Sequence, residues 1–148
     1  MKITTNRDHL NFQCTDCNSY ADGIKIGNKL KTVCLFGKNK DAVGLAHNQI
    51  AGNKKVYITK FNSIPKIYIN PSIVDKSDSY FYAEEGCMSY PNKKNKVKRY
   101  DWVVVRHLKQ DGYIEEKFDG FLGTIHQHEI QHLNGIDIHH QPIGDNNE

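Results

Sequence analysis

The amino-acid sequence predicts an α+β domain, in which mixed or antiparallel strands surround a central C-terminal helix and a second helix lies near the N-terminus. Short alternating segments in the middle of the chain predict the strands, and apolar residues at helix spacing towards both ends predict the helices. The length of 148 residues is typical of one domain. We therefore expect a single domain over 1–148, with a short tail over 135–148.

Local patterns place the first elements along the chain. Apolar residues at helix spacing predict a helix over 24–36, and Gly37 is suited to end it because glycine adopts the left-handed conformation of a helix cap. Alternation of side chains predicts short strands farther on. These strands lie over 56–59, 66–70 and 80–82.

A β-hairpin and a final helix complete the predicted elements. The hairpin spans 97–118 and has Asp111 and Gly112 in its turn, a pair that favours tight hairpin turns. The final helix ends at Asn134-Gly135. One of its faces carries Phe121, Ile125, His128 and His132, at a spacing of i, i+4, i+7 and i+11.

The composition limits the classes of function. The chain has 20 Lys and Arg against 17 Asp and Glu, and a net charge of +3 is too small to indicate nucleic-acid binding by itself. No stretch approaches the roughly 18 apolar residues of a membrane span, and the first residues lack the apolar run of a secretory signal. We expect a cytoplasmic protein without membrane contact. The basic run 93–99 is expected to be a solvated loop, with transient ribosome contact as the alternative.

Four cysteines are present, and reduced thiols are expected in a chain without an export signal. Cys14 and Cys17 have the spacing of a metal-binding or redox pair. No second pair completes a four-thiolate zinc site, and the segment before Cys14 is a poor strand for a redox motif. We therefore expect these two thiols to be incidental to function.

The final helix carries an H-E-x-x-H motif over 128–132. Histidines four residues apart differ by about 40° around a helix axis, so both imidazoles can reach one metal ion. Glu129 follows the first histidine and is placed to take a proton from a water molecule. The alternative is a polar helix face on which His128 and His132 have no special role.

A catalytic metal site of this kind needs a third protein ligand and an open position. His139 is one residue too far along the chain for the metzincin spacing, and little chain remains after His132 for the downstream glutamate of thermolysin-like enzymes. Cys87, within the segment Glu84-Glu85-Gly86-Cys87-Met88-Ser89, is the third candidate. These residue patterns alone leave the choice open.

Three motifs occur in the order in which they mark the peptide deformylases, and the chain resembles that family over about 24–137. The family's Gly-x-Gly-x-Ala-Ala-x-Gln motif corresponds to 42–49, in which Ala42 and His47 depart from it. Its Glu-Gly-Cys-x-Ser motif corresponds fully to 85–89, and its Gln-His-Glu-x-x-His-Leu-x-Gly motif to 127–135. The resemblance implies a hydrolase that removes the formyl group from N-formylmethionyl peptides and releases formate.

The resemblance also implies a metal site and the groups that act beside it. Cys87, His128 and His132 are expected to bind one divalent metal ion, iron(II) in the cell, with zinc, nickel or cobalt able to replace it. Glu129 is expected to act as general base and then as general acid, and Glu85 to orient the metal site.

Further residues are expected to contact the substrate. Family resemblance assigns stabilisation of the oxyanion to the Gln49 side chain and the backbone N–H of Met88. Gly44 is expected to let the peptide approach the backbone, and Arg99 to contact the peptide. The side chains of Phe121, Thr124 and Ile125 are expected to form the wall of the methionine pocket.

Two other functions remain as alternatives at this level. A zinc endopeptidase, or another amide hydrolase with the same metal helix, shares the H-E-x-x-H motif, although such proteases use His, Glu or Asp where this chain offers Cys87. A non-catalytic, metal-stabilised module that binds the ribosome or RNA without sequence specificity is the second. Glu129 and Gln49 argue against it, since neither is needed to hold a metal.

Overall fold

The computed structural model describes residues 2–35 and 39–140 and has the α+β architecture that the sequence predicts. Its helices are α1 (Arg7–Leu10), α2 (Tyr20–Leu35) and α3 (Gly120–Leu133), and a short 3-10 helix spans His47–Ile50. Its strands are β1 (Gly44–Ala46), β2 (Val56–Phe61), β3 (Ile64–Ile69), β4 (Ser72–Lys76), β5 (Tyr80–Cys87), β6 (Tyr90–Tyr100), β7 (Trp102–Lys109) and β8 (Gly112–Asp119).

The strands form two three-stranded sheets and one long hairpin, and each pair of these strands is antiparallel. The first sheet has the order β1-β2-β3, the second has the order β4-β7-β8, and β5 pairs with β6. In the first sheet β1 is an edge strand, so one side of its backbone is not used by the sheet.

Helix α3 packs against both sheets and occupies the centre of the molecule. Ile130 and Leu133 on α3 belong to a buried cluster with Tyr57, Tyr68 and Phe118 from the strands. Burial of each large apolar side chain stabilises the fold by about 1.5–3 kcal/mol. This packing fixes the position of α3, and with it the orientation of the H-E-x-x-H motif.

His126 is part of the core and lies apart from the motif histidines. Its Nδ1 lies 2.6 Å from Oη of Tyr57, and its ring stacks on Phe118 at a centroid distance of 3.7 Å. Burial lowers the pKa of His126 to about 3. A neutral imidazole therefore acts here as an aromatic core residue.

Helix α2 covers the first sheet at close range. A Cβ atom on Gly23 would lie 2.5 Å from the side chain of Ile69, and one on Gly27 would lie 2.5 Å from that of Ile67. These glycines weaken the helical pattern of the sequence, yet they let the helix approach the sheet. The helix begins at Tyr20, earlier than the predicted 24, where the Ser19 hydroxyl accepts a hydrogen bond from the backbone N–H of Asp22 at 3.1 Å.

Several boundaries differ from the sequence-based prediction. The third predicted strand, 80–82, extends to Cys87, and the first arm of the predicted 97–118 hairpin is divided between β6 and β7. The basic run 93–99 was expected to be a loop but lies within β6, because it pairs with β5. The sequence does not predict β1 and β4. The three residues of β1 are all buried and the five residues of β4 are all exposed, so neither strand shows an alternation of apolar and polar side chains. Phe36 and Gly37, the predicted end of α2, and most of the predicted tail lie outside the described residues.

All four cysteines are free thiols. Burial raises the pKa of Cys14 to about 12 and that of Cys34 to about 11, which keeps both thiols protonated and unreactive. Among the described residues no helix is long and apolar enough to cross a membrane.

Candidate active site

The end of β5 and the buried face of α3 bring one thiol and two imidazoles together. Nε2 of His128 lies 3.1 Å from Nε2 of His132, which lies 3.4 Å from Sγ of Cys87. The three donor atoms lie within 4.8 Å of one another. Residues four apart on a helix are neighbours, so α3 alone places the two histidines, whereas the β5–β6 hairpin supplies Cys87.

This donor set fits a divalent metal ion. Nδ1 of His128 lies 2.8 Å from Oε1 of Glu85 and donates to this carboxylate, so loss of the proton from Nε2 would leave a lone pair directed towards Cys87 and His132. A thiolate with two neutral imidazoles suits tetrahedral zinc or iron(II) with one open position. A cation between the donors would also relieve the repulsion of their lone pairs.

A buried ion pair supports the first histidine. Nη2 and Nε of Arg99 donate to Oε1 and Oε2 of Glu85 at 2.7 and 2.8 Å. Burial raises the pKa of the Glu85 carboxyl, but hydrogen bonds from His128 and Arg99 outweigh this effect and hold the pKa below its ordinary value. Glu85 therefore remains a carboxylate and fixes the ring orientation of His128.

The position of Arg99 corrects the expectation that it contacts a peptide. Its side chain is 2% exposed, and its Nη1 also donates to Oε1 of Gln131 at 2.8 Å. Alternation along β6 places Arg99 on the face of the hairpin that is turned towards α3. Arg99 lies behind the donor cluster and supports Glu85.

Glu129 lies beside β1 with a carboxylate that is only partly engaged. The residue is buried, and its Oε1 has no hydrogen-bond partner among the described residues. A Cβ atom on Gly44 would lie 2.7 Å from Oε2 of Glu129, so a larger residue at position 44 would displace this carboxylate. Burial raises the pKa of Glu129 to about 7, a value suited to a group that takes up and returns a proton near neutral pH.

The 3-10 helix holds Gln49 with its amide nitrogen towards the donor cluster. The backbone N–H of Ala46 donates to Oε1 of Gln49 at 3.0 Å, which identifies the oxygen. Nε2 of Gln49 then donates to Oγ of Ser89 at 3.2 Å and lies 3.5 Å from Sγ of Cys87. A hydrogen-bond donor is thus fixed next to the thiol.

A cavity of about 400 Å³ opens beside these groups. Most of the residues singled out from the sequence line it: Gly44, Gln49, Cys87, Met88, Phe121, Thr124, Ile125, His128 and Glu129. Phe121 is 58% exposed, whereas Ile125 is buried, so Phe121 is the more open part of the apolar wall. His132 is fully buried behind this lining, where its Nε2 contacts Sγ of Cys87 and Nε2 of His128.

The two departures from the first family motif have different surroundings. Ala42 is buried and lines the cavity. His47 does not line the cavity. Its ring lies against Gly52, where an added Cβ atom would overlap it, and its Nδ1 accepts a hydrogen bond from the backbone N–H of Lys54 at 3.0 Å. The bulk of His47 is accommodated by the missing side chain at Gly52.

The sequence did not indicate several supporting contacts. Gln131 lies within the H-E-x-x-H motif, and its Oε1 accepts a hydrogen bond from Arg99. The side-chain nitrogen of Asn48 donates to the backbone oxygen of His132. His139, one of the three candidate ligands, lies against the ring of Tyr90 at 4.9 Å and outside the donor cluster. None of these roles has a local sequence signature.

A family model described as polypeptide deformylase matches residues 3–145. The chain belongs to the peptide deformylase family. Members of this family are metal-dependent hydrolases, in agreement with the donor cluster of Cys87, His128 and His132.

Individual relatives agree with this assignment. A peptide deformylase of Thermotoga neapolitana is 35% identical over 97 residues, which cover 65% of this chain and 59% of the relative. The matched part thus spans about three fifths of that relative's length. A deformylase of the Vibrio parahaemolyticus bacteriophage VP16T, solved with actinonin, has 29% identity and a TM-score of 0.83 over 93% of this chain and 100% of that one. The class I type b enzyme of Acinetobacter baumannii, solved with Met-Ala-Ser, has 27% identity and a TM-score of 0.81 over 93% and 96%.

We predict that Arg99→Gln destabilises the metal-free protein by about 3–5 kcal/mol, because it leaves the buried Glu85 carboxylate without its cation. The metal affinity should also fall by about 10- to 100-fold, since Glu85 then holds His128 less firmly. Urea unfolding of the metal-free protein and a chelator competition measure the two effects. The control Arg106→Gln removes an exposed guanidinium that lies over the ring of Tyr113 and should change stability by no more than about 1 kcal/mol. Equal effects of the two substitutions would contradict the role assigned to Arg99.

Proposed function

We propose that this chain removes the formyl group from the N-terminal formylmethionine of peptides and releases formate. The observation that carries this proposal is the placement of the buried Glu129 carboxylate at a cavity whose lining includes Cys87 and His128 of the donor cluster. A hydrolase needs a proton carrier next to the group that activates water, and the nearness of Glu129 to the donor cluster supports this assignment.

We propose one divalent ion held by Cys87, His128 and His132, iron(II) in the cell, with zinc, nickel or cobalt able to replace it. A divalent ion held there supplies the Lewis acidity that activates water and polarises a carbonyl group. The mixed sulfur and nitrogen donors support this choice over magnesium or calcium, which prefer oxygen ligands.

Glu129 carries the proton in this proposal. Its Oε1 has no partner among the described residues and is therefore available to accept the proton of the attacking water. The same carboxyl group then gives that proton to the amine nitrogen of methionine as the bond to the formyl carbon breaks. A pKa of about 7 lets Glu129 exchange a proton in both directions near neutral pH.

The negative charge that develops on the formyl oxygen is stabilised by Gln49 and the backbone N–H of Met88. The hydrogen bond from Ala46 fixes the amide of Gln49, so its N–H group needs no reorientation during the reaction. One donor of this kind typically lowers the barrier by about 3–4 kcal/mol. Met88 lines the same cavity.

The peptide binds along β1 in this proposal. Because β1 is an edge strand, its free backbone groups near Gly44 can pair with an extended peptide as an added strand. Phe121 and Ile125 form the apolar wall for the methionine side chain. The Acinetobacter relative was solved with Met-Ala-Ser, a peptide that begins with methionine.

We place this reaction in the cytoplasm, with only transient contact with the ribosome. A free Cys87 thiol is needed as a ligand, and the cytosol keeps thiols reduced. The lysines over 93–99 provide positive charge for such a contact.

Metal content should separate Cys87 from His139 as a ligand. Cys87→Ala removes one of the three clustered donors and should leave well under one equivalent of metal after dialysis, whereas His139→Ala should keep a full equivalent. The measurement is elemental analysis of protein purified without oxygen. Retention of metal by Cys87→Ala together with its loss from His139→Ala would refute the proposed ligand set.

The proposed reaction is tested by formate release from formyl-Met-Ala-Ser. The protein should process this peptide, while acetyl-Met-Ala-Ser and unfolded casein should be nearly inert, because the formyl carbon carries only a hydrogen where the others carry larger groups. Glu129→Gln should remain folded and metal-loaded but should lose about 10²- to 10⁴-fold in turnover. Casein cleavage without formate release would instead support an endopeptidase, and full turnover by Glu129→Gln would remove that residue from the mechanism.

Gly44→Ala should lower kcat/KM for formyl-Met-Ala-Ser by about 10²-fold, since the added Cβ displaces the Glu129 carboxylate and small displacements of a catalytic group are costly. The matched control is Gly86→Ala in the same cavity, where the nearest atom to an added Cβ lies at 3.8 Å. That variant should keep its activity within about threefold, as no group has to move. An equal loss in both variants would mean that the cavity, rather than Glu129, is sensitive to the added methyl group.

A further inference from the structure

The β5–β6 hairpin has an outer face that lies largely outside the candidate active site, since only Glu84 and Gly86 at its Cys87 end line the cavity. Its register pairs Tyr80 with Tyr100, Tyr82 with Lys98, Glu84 with Lys96 and Gly86 with Lys94. Side chains alternate along a strand, so these residues share one face, while Glu85 and Arg99 lie on the other. We define the outer hairpin face as Tyr80, Tyr82, Lys94, Lys96, Lys98 and Tyr100, with Lys76 from β4 beside it.

The tyrosines of this face are unusually open to solvent for large aromatic side chains. Tyr80 is 51% exposed and Tyr82 is 65% exposed, and their rings meet edge to face at a centroid distance of 6.0 Å. Aromatic rings of this size are normally buried when they serve only to stabilise a fold. About half of Tyr80 and two thirds of Tyr82 therefore face solvent, next to each other.

Lysines surround these rings. Nζ of Lys98 lies 4.2 Å from the ring centroid of Tyr80 and 5.3 Å from that of Tyr100, and Nζ of Lys76 lies 4.2 Å from the Tyr100 ring. In the described part of the chain, neither of these lysines nor Lys94 and Lys96 forms an ion pair with an acidic side chain. On the outer side of the hairpin, β6 carries three lysines and β5 carries one carboxylate, Glu84.

We propose that the outer hairpin face binds single-stranded RNA. Exposed rings stack on unpaired bases, lysines neutralise the phosphates, and the phenolic hydroxyls can bond the 2′-hydroxyl of ribose. The lysines alternate along β6 beside adjacent exposed rings, which matches the alternation of phosphates and bases along a single strand. A double helix would hide the base faces on which the rings stack.

The overall composition does not reveal this surface. The net charge of +3 is small because acidic residues elsewhere balance the lysines, whereas alternation in β6 collects three lysines on one side of the hairpin. The opposite face of the hairpin supports His128 through Glu85. RNA stacked on Tyr80 and Tyr82 would lie towards the other end of β5 from Gly86, which lines the candidate cavity.

The test uses the full chain and a fluorescent oligouridine of about twelve nucleotides, within the range of single-strand binding sites. Fluorescence anisotropy measures binding at several salt concentrations. Tyr80→Leu with Tyr82→Leu keeps apolar bulk but removes the stacking rings, and it should weaken RNA binding by about tenfold or more. Binding of polyphosphate, which has charge but no bases, should stay unchanged in this variant.

Replacement of Lys94, Lys96 and Lys98 by glutamine tests the electrostatic part. Both RNA and polyphosphate should bind more weakly. For RNA, the plot of log binding constant against log salt concentration should become less steep by about 2, because each lost phosphate contact contributes about 0.7 to the slope. The control replaces the exposed residues Lys2, Lys25 and Lys29, remote in sequence from the hairpin, by glutamine and changes the net charge equally. It should retain RNA affinity and slope.

Folding is checked in every variant by circular dichroism and by formate release, which none of these positions should alter. The proposal is overturned if the wild-type chain does not bind the oligouridine, if the tyrosine variant binds RNA as tightly as the wild type, or if the control lysines matter as much as those of the hairpin. Polyphosphate or an acidic peptide that binds as tightly as RNA would show a general polyanion site instead. A duplex of the same length that competes equally would also overturn the proposal, because its bases are not free to stack.

Discussion

The ion pair between Arg99 and Glu85 connects three elements that must meet for the candidate metal site to exist. Arg99 comes from β6, Glu85 from β5 and its second partner Gln131 from α3. Without the cation, burial would favour a protonated Glu85, and a protonated carboxyl would no longer fix the proton on Nδ1 of His128. The orientation of a metal ligand on the central helix therefore depends on a charge in the hairpin.

The same region shows how the chain can keep polar groups in its interior. His132 and Glu129 are buried, and burial without partners costs several kcal/mol for groups of this kind. The apolar packing of α3 against the sheets offsets that cost, and the helix is thereby held rigidly. Oε1 of Glu129 forms no hydrogen bond with other described residues, so this oxygen can accept a hydrogen bond from a substrate or a water molecule.

Local patterns predicted the parts of the molecule that local physics determines. The helical spacing of apolar residues predicted α3 and placed His128 close to His132. The predicted Asp111-Gly112 turn also lies where expected, between β7 and β8. The position of Cys87 beside them depends on how β5 crosses α3, which no periodicity reports, and it came from resemblance to a family. Arg99 was misplaced because a buried arginine and an exposed arginine in an alternating basic strand look alike in sequence.

The contact between His47 and Gly52 restricts the order in which such a chain can change during evolution. A side chain at position 52 would overlap the imidazole, so histidine at position 47 is acceptable only where glycine already stands five residues later. Once both are present, any side chain at 52 is blocked until 47 becomes small again. Positions 47 and 52 are therefore sterically coupled: glycine at 52 has to precede histidine at 47, and position 47 has to become small again before position 52 can gain a side chain.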